Sequence, residues 1–323
     1  MNLKVSASPH IRDKADTPRL MRDVIIALVP ALLVSVYMFG YRALLIISVT
    51  VSSAIVFEFA CRKIMKRNQS ISDLSAVITG LLLAFSLPPE IPLWMPVIGS
   101  FTAIVAAKQL FGGLGQNIVN PALAGRIVLS ISYPAEMASW SLPSGRPSSA
   151  FSFSPVFETD MITRATPLQM LYAGEGQMTV GMPDYLDLLI GKHAGSLGEI
   201  SIAALLIGVI YLLARKVISL WTPLSFIAVV MIFAALSGHN PIYHLLSGGL
   251  VIAAFFFATD YTTTPLTRSG KVLFGIGCGL IAALIRIFGS QPEGVSYAIV
   301  FMNILTPHIE RITIPLPFGG GRK

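Results

Sequence analysis

The run "TDMITRATPLQ", residues 159–169, sets three threonines and an aspartate around a proline. A threonine hydroxyl is a weak nucleophile until a neighbouring base takes its proton, and no His–Asp partnership surrounds Thr166. Two readings of Thr166 stand side by side. In one it caps a helix that Pro167 begins. In the other it is an acceptor that a separate enzyme modifies after reading the letters around it.

A second constellation is "KQLFGGLGQNIVNPALAGR", residues 108–126. Its glycines permit close approach of the backbone. Gln116, Asn117 and Asn120 bring amides to a helix start, with Asn117 and Asn120 three positions apart. A primary amide both donates and accepts, which suits a neutral heterocycle with mixed polar edges; helix capping by asparagine is the competing role. No Gly-Lys-Ser or Gly-Lys-Thr follows the glycines, so this is not a phosphate loop.

Charges within apolar stretches form the third set. Glu58, Arg126, Asp260 and Arg286 each lie in or at the end of such a stretch, where an ionised group is costly and is either paired or functional. Glu58 is placed near the inner end of its segment, within snorkelling reach of water. Arg126 falls about eight residues into its segment, roughly 12 Å deep at helical rise. The histidines show no metal-ligand spacing, and no metal site is expected. Two cysteines, Cys61 and Cys278, cannot supply an all-cysteine iron–sulfur centre, and no disulfide is expected between them.

The elements that must position these residues follow from composition. Of 323 residues, 54% are hydrophobic and 12% charged, against about 25% charged in soluble domains, and the mean hydropathy is +0.73. The fold class is therefore an all-α polytopic membrane protein. A bilayer core needs about 20 apolar residues per helix. Ten segments qualify: 24–40, 43–61, 73–89, 91–107, 118–133, 198–214, 219–237, 243–259, 271–288 and 294–309. The net charge of +7 does not indicate a nucleic-acid partner, because the basic residues fall in the loops where membrane topology requires them.

With a cytoplasmic N-terminus, seventeen of the 23 lysines and arginines lie on the inner side, so both termini are expected inside. Loop 134–197, with Thr166 in it, is then expected on the outer face. It divides the ten helices five and five, which implies two inverted repeats with a site at their interface. The runs "FGGLG" (111–115) and "SGGLV" (247–251) are a short internal echo of that symmetry. The expected division is a cytoplasmic segment 1–23, a first repeat 24–133, the outer loop 134–197, a second repeat 198–309 and a cytoplasmic tail 310–323. The charged opening residues do not read as a cleavable signal peptide.

Asp160, Thr163, Ala165 and Thr166 match the pattern Asp-x-x-Ser/Thr-Gly-Ala-Thr, the target of flavin transferases; the sequence departs from it at Arg164, where glycine is usual. Together with "FGGLGQNIVNPALAGR", "HLLSGGLVIAAFFFATDYTTTPLT" and "GSQPEGVSYAIVFMN", in that order, the chain resembles the NqrB/RnfD family over essentially its whole length. The resemblance implies a ten-helix flavoprotein subunit of a redox pump in a bacterial or archaeal cytoplasmic membrane. The pump couples electron flow between ferredoxin and NAD to Na⁺ or H⁺ translocation. It implies FMN joined to Thr166 by a phosphoester, with Asp160, Thr163, Arg164 and Ala165 as the surrounding motif; Arg164, standing where glycine is usual, is expected to bring its guanidinium near the flavin. It further implies a non-covalent riboflavin at Asn117 and Asn120, other complex subunits as partners, and a flavin transferase for maturation. Only 23 polar residues precede the first segment, which favours the Rnf type over the sodium-pumping NADH:quinone reductase type. That second type, and a non-redox solute channel built from inverted repeats, are the alternatives.

Overall fold

The computed structural model describes residues 16–143, 165–174, 176–177, 181–289 and 293–315. Its regular structure is helical. In chain order the helices are α1 (Thr17–Phe39), α2 (Tyr41–Ile64), α3 (Ser75–Phe85), α4 (Trp94–Phe101), α5 (Pro121–Ser132), α6 (Pro134–Met137) and α7 (Pro167–Ala173). They continue as α8 (Tyr185–Ile190), α9 (Ile202–Ala214), α10 (Trp221–Leu236), α11 (Pro241–Leu246), α12 (Leu250–Ile252), α13 (Arg268–Phe288) and α14 (Val295–Thr313). Helix α4 runs on into a π segment, Thr102–Gln109, and α12 into another, Ala253–Phe257.

Helices α1, α2 and α13 are long and apolar enough to cross a membrane, and α3, α5, α9 and α10 are shorter apolar helices. Each of the ten apolar stretches contains helix, but several are shorter than composition alone suggests. The reason is local. Helix α3 starts only after Leu74, whose φ of 62° is left-handed, and the eighth stretch is broken at Gly248 and Gly249, with φ of 66° and 63°. Glycine adopts that conformation at no steric cost; leucine does so only where packing holds it.

The glycine echo does not survive in three dimensions. The run 111–115 follows a π segment, whereas 247–249 precedes α12. The two glycine runs therefore lie at opposite ends of the elements they flank. Left-handed residues precede both α3 and α12.

Packing joins the two halves of the chain. Helix α1 lies against α9, and a Cβ on Gly208 would collide with the Ala27 carbonyl oxygen, the small-residue contact expected where helices pack in an apolar medium. Asp23 on α1 meets Arg215 beyond α9 at 3.2 Å and accepts the Tyr211 hydroxyl at 3.0 Å. Helix α5 packs on α14. Two arginines that depart from the inner-side bias are both tied to backbone. Arg42 donates to the Pro89 and Glu90 carbonyls at 3.0 Å each. Arg286, fully buried, donates to His244 O at 2.7 Å and Gly248 O at 2.8 Å, which holds the turn that breaks the eighth stretch. Cys61 and Cys278 are free thiols.

Candidate functional site

Two cavities flank α5, one toward each of its ends. The first lies on the side of Thr166. Pro167 begins α7 and Thr166 is its N-cap: Thr166 Oγ1 accepts from the Gln169 amide at 3.2 Å, and Gln169 Oε1 accepts from the Thr166 amide at 2.9 Å. This reciprocal pair is a capping box. Thr166 is 1% exposed, and its hydroxyl hydrogen reaches no acceptor among the described residues. Capping uses a lone pair on Oγ1 and modification uses the O–H, so the cap does not block modification, but a hydroxyl this buried is out of a second enzyme's reach until the residues over it move aside. Ala165 is exposed beside it. Asp160, Thr163 and Arg164 lie outside the described residues.

Gln169 leads from the cap into a cavity of about 210 Å³, bounded also by Arg126 and Ser130 on α5, by Trp140, and by Glu293 and Tyr297 at the start of α14. Water needs only about 15 Å³ of such space, so this cavity has room for a ligand group and not only for a water. Arg126 Nη2 meets Glu293 Oε2 at 3.1 Å, with side chains 15% and 18% exposed. Arg126 is therefore not a lone membrane charge: its counterion comes from the segment just before α14. Trp140 Nε1, Ser141 Oγ and Glu293 Oε1 are buried without a partner among the described residues. Burial pushes the Glu293 carboxyl above the usual carboxylate range, and the Glu199 carboxylate adds to this, while Arg126 and Arg286 oppose it.

The second cavity, about 90 Å³, lies at the Asn120 end, between the two π segments. Asn120 is the N-cap of α5, accepting from Ala122 N at 3.1 Å and Leu123 N at 3.3 Å, and its Nδ2 donates to Phe257 O at 3.4 Å. Asn117 Nδ2 donates to Thr262 Oγ1 at 2.9 Å and Val119 O at 3.2 Å. Both amides line the cavity, but not as neighbours on one helix face. Pro121 is the first helical residue, so Asn117 precedes the helix and the i, i+3 relation does not apply. Asp260 accepts from Thr262 Oγ1 at 3.2 Å and Thr263 Oγ1 at 3.4 Å.

Lys108, at the end of the first π segment, also faces this cavity. It donates to Glu58 Oε2 at 2.7 Å and Ser75 Oγ at 2.6 Å, and Ser70 donates to Glu58 Oε1 at 2.6 Å. Glu58 is fully buried. It does not snorkel to water; the ammonium of Lys108 neutralises it in place.

Glu293, Trp140 and Gln169 were not legible as site residues. The one signal for Glu293 was that Arg126, placed in an apolar stretch, requires an anion from elsewhere in the chain.

The chain matches the model of the NQR2, RnfD, RnfE family over residues 4–319. It is 47% identical over 315 residues to a subunit of the Na⁺-translocating ferredoxin:NAD⁺ oxidoreductase complex of Acetobacterium woodii, covering 97% of this chain and 94% of the relative. It is 40% identical to a subunit of the proton-translocating ferredoxin:NAD⁺ oxidoreductase complex of Clostridium ljungdahlii, covering 98% and 96%. It is 37% identical to a subunit of the ion-translocating oxidoreductase complex of Stutzerimonas stutzeri, covering 96% and 93%.

Proposed function

The chain belongs to the NQR2, RnfD, RnfE family, and on that premise we propose that it is the RnfD-type membrane subunit of an Rnf complex. In that complex it takes part in moving electrons between ferredoxin and NAD in step with Na⁺ or H⁺ translocation. The observation that carries the reading is the 47% identity, over 97% of the chain, to a subunit of a ferredoxin:NAD⁺ oxidoreductase complex. The chain works as a translocase subunit within the assembled complex. Relatives named for Na⁺ and for protons match at similar levels, so similarity leaves the ion as either one.

Family membership supports a flavin-binding class of subunit. The finer reading is FMN joined to Thr166 through a phosphoester, with Asp160, Thr163, Arg164 and Ala165 as the motif a flavin transferase reads. The threonine-side cavity fits that group in kind. Trp140 brings a donor and Glu293 an acceptor to its wall, a mixed set that suits the polar edge of a flavin, and Gln169, the partner of the Thr166 cap, lines it too; Thr166 itself is not among the lining residues. FMN bound there supplies one- and two-electron redox chemistry. The chain's own contribution is to anchor and to surround. The Gln169 pair fixes the backbone at Thr166, Trp140 and Tyr297 bound the cavity, and the Arg126–Glu293 pair sets its charge.

For riboflavin the asparagine-side cavity fits in chemistry but not in size. Asn117 Oδ1 remains free to accept, yet about 90 Å³ is too narrow for a flavin ring unless the two π segments separate. No step is assigned to riboflavin there.

Ten spanning helices in two inverted five-helix repeats, 24–133 and 198–309, remain the architecture this reading uses, with 134–197 outside and the segments 1–23 and 310–323 cytoplasmic. The packing of α1 on α9 and of α5 on α14 supports it, since these are the first and last helices of each proposed half. So do the matching breaks before α3 and α12, in corresponding positions of the two halves.

The test is flavin fluorescence of the denatured chain after co-production with a flavin transferase, followed by mass measurement of the peptide bearing Thr166. A fluorescent band with FMN mass on that peptide is expected. A colourless band would overturn the covalent assignment, and the absence of any flavin from the native chain would leave the channel reading in its place.

A further inference from the structure

Within the threonine-side cavity the charges balance at rest. Arg126 contributes one positive charge from α5 and Glu293 one negative charge from the segment before α14, 3.1 Å apart. An electron delivered into this space leaves it one charge short of neutral, and an uncompensated charge in a partly enclosed site is costly.

The carboxylate is arranged to respond. Its Oε2 is held by Arg126, while Oε1 is buried and makes no bond among the described residues, so a proton can be taken there with no existing bond to break. The side chain is 18% exposed, so water reaches part of it, but Oε1 itself is buried and meets water only when the carboxylate turns.

The neighbouring groups leave Glu293 as the proton acceptor. Arg126, and Arg286 from α13, are cations that do not deprotonate in proteins. Tyr172 and Tyr297 bound the cavity as hydroxyl groups, not carboxylates. Glu199, which acts on Glu293 through its charge, is not among the residues that bound the cavity. Ser130 and Ser296 are neutral hydroxyls.

We propose that Glu293 is the charge-compensating residue of this cavity. When an electron from the ferredoxin–NAD flow enters, Glu293 takes a proton from water at Oε1, and Arg126 passes from countering the carboxylate to countering the new negative charge. One electron and one proton enter together, and both leave on reoxidation; Arg126 keeps its charge throughout. This rests on the reading of FMN at Thr166.

The test is a redox titration of the covalently bound flavin in the purified full chain, from about pH 6 to about pH 8, for the wild type, Glu293→Gln and Glu293→Asp. The wild-type and Glu293→Asp midpoints fall as pH rises, and the Glu293→Gln slope is shallower, keeping only what the ring nitrogens of the flavin itself contribute. Reduction-induced infrared difference spectra of the wild type show a new protonated-carboxyl band, which moves in Glu293→Asp; this measurement stands even if Glu293→Gln does not fold. A Glu293→Gln midpoint with the wild-type pH slope, or no new carboxyl band, overturns the proposal while covalent flavin in the denatured band leaves the FMN reading intact. A wild-type chain without covalent flavin overturns both.

Discussion

At the Thr166 end of α5, Trp140 Nε1 and Glu293 Oε1 are buried and unpartnered among the described residues, and both residues bound about 210 Å³ of space. At the Asn120 end, Glu58, Lys108, Asn120, Asp260 and Thr262 bond to one another, to nearby hydroxyls or to backbone, around about 90 Å³. A buried polar atom left without a partner costs about 1–3 kcal/mol. The first cavity therefore holds free energy that a bound group recovers by supplying partners. At the second, a ligand must displace bonds already made, and its net gain is smaller. The first is arranged as a seat, the second as a network that has to open. The proposed division of labour follows from that contrast: a permanently attached flavin where space and unmet polar atoms coincide, and a reversible one where the helices have to give way.

The largest expected effect breaks the comparison at its covalent end. Thr166→Val removes the only atom through which the phosphoester forms and should abolish covalent flavin altogether, read as in-gel fluorescence. Thr166→Ser keeps both the oxygen and the cap and should retain the label. The valine variant also loses the cap, at about 1 kcal/mol, too little to explain loss of the cofactor by unfolding. Covalent flavin on Thr166→Val would remove the basis of the threonine-side assignment.

Next in size is the network at the other end. Glu58→Gln leaves the Lys108 ammonium buried without its counter-charge, and breaking a buried pair costs about 3–5 kcal/mol. The denaturation midpoint should fall accordingly, and Glu58→Gln with Lys108→Met should recover much of the loss. A Glu58→Gln chain as stable as the wild type would show that water or an ion enters this network, making it less closed than the comparison holds.

A smaller effect separates the two asparagines. Asn117→Leu removes the free Oδ1 acceptor and the bond to Thr262, and should weaken reversible flavin binding about 5- to 150-fold, the equivalent of about 1–3 kcal/mol. Asn120→Asp keeps an N-cap oxygen and should preserve helix stability, whereas Asn120→Leu loses the cap as well. The double Asn117→Leu, Asn120→Leu chain should lose non-covalent flavin and keep the covalent one. Equal flavin content in wild type and double variant, measured after extraction, would reduce both residues to structural roles.

The smallest expected effect sharpens the first cavity. Trp140→Phe keeps an aromatic side chain, smaller than the indole, and deletes the Nε1 donor. The midpoint potential of the attached flavin should move by the equivalent of about 1 kcal/mol, the net worth of one hydrogen bond. An unmoved potential would place that donor outside the flavin's reach.

By itself the sequence determined what depends on near neighbours. The apolar stretches specify helices because an apolar medium forces every backbone group to bond within its own segment. Thr166 before Pro167, and Asn120 before Pro121, specify caps because proline opens a helix and a short polar side chain satisfies its first amides. The paired caps were therefore readable in a few letters. Tertiary structure alone decided the pairings. Arg126 finds Glu293 across 167 positions, Asn117 finds Thr262 across 145, and Lys108 finds Glu58 across 50. It also decided that Leu74 takes a left-handed conformation and cuts α3 short, against its own preference. These outcomes turn on which helix faces meet. Side-chain packing and the cost of an unpaired buried charge select those meetings, and neither is a property of any local run of residues.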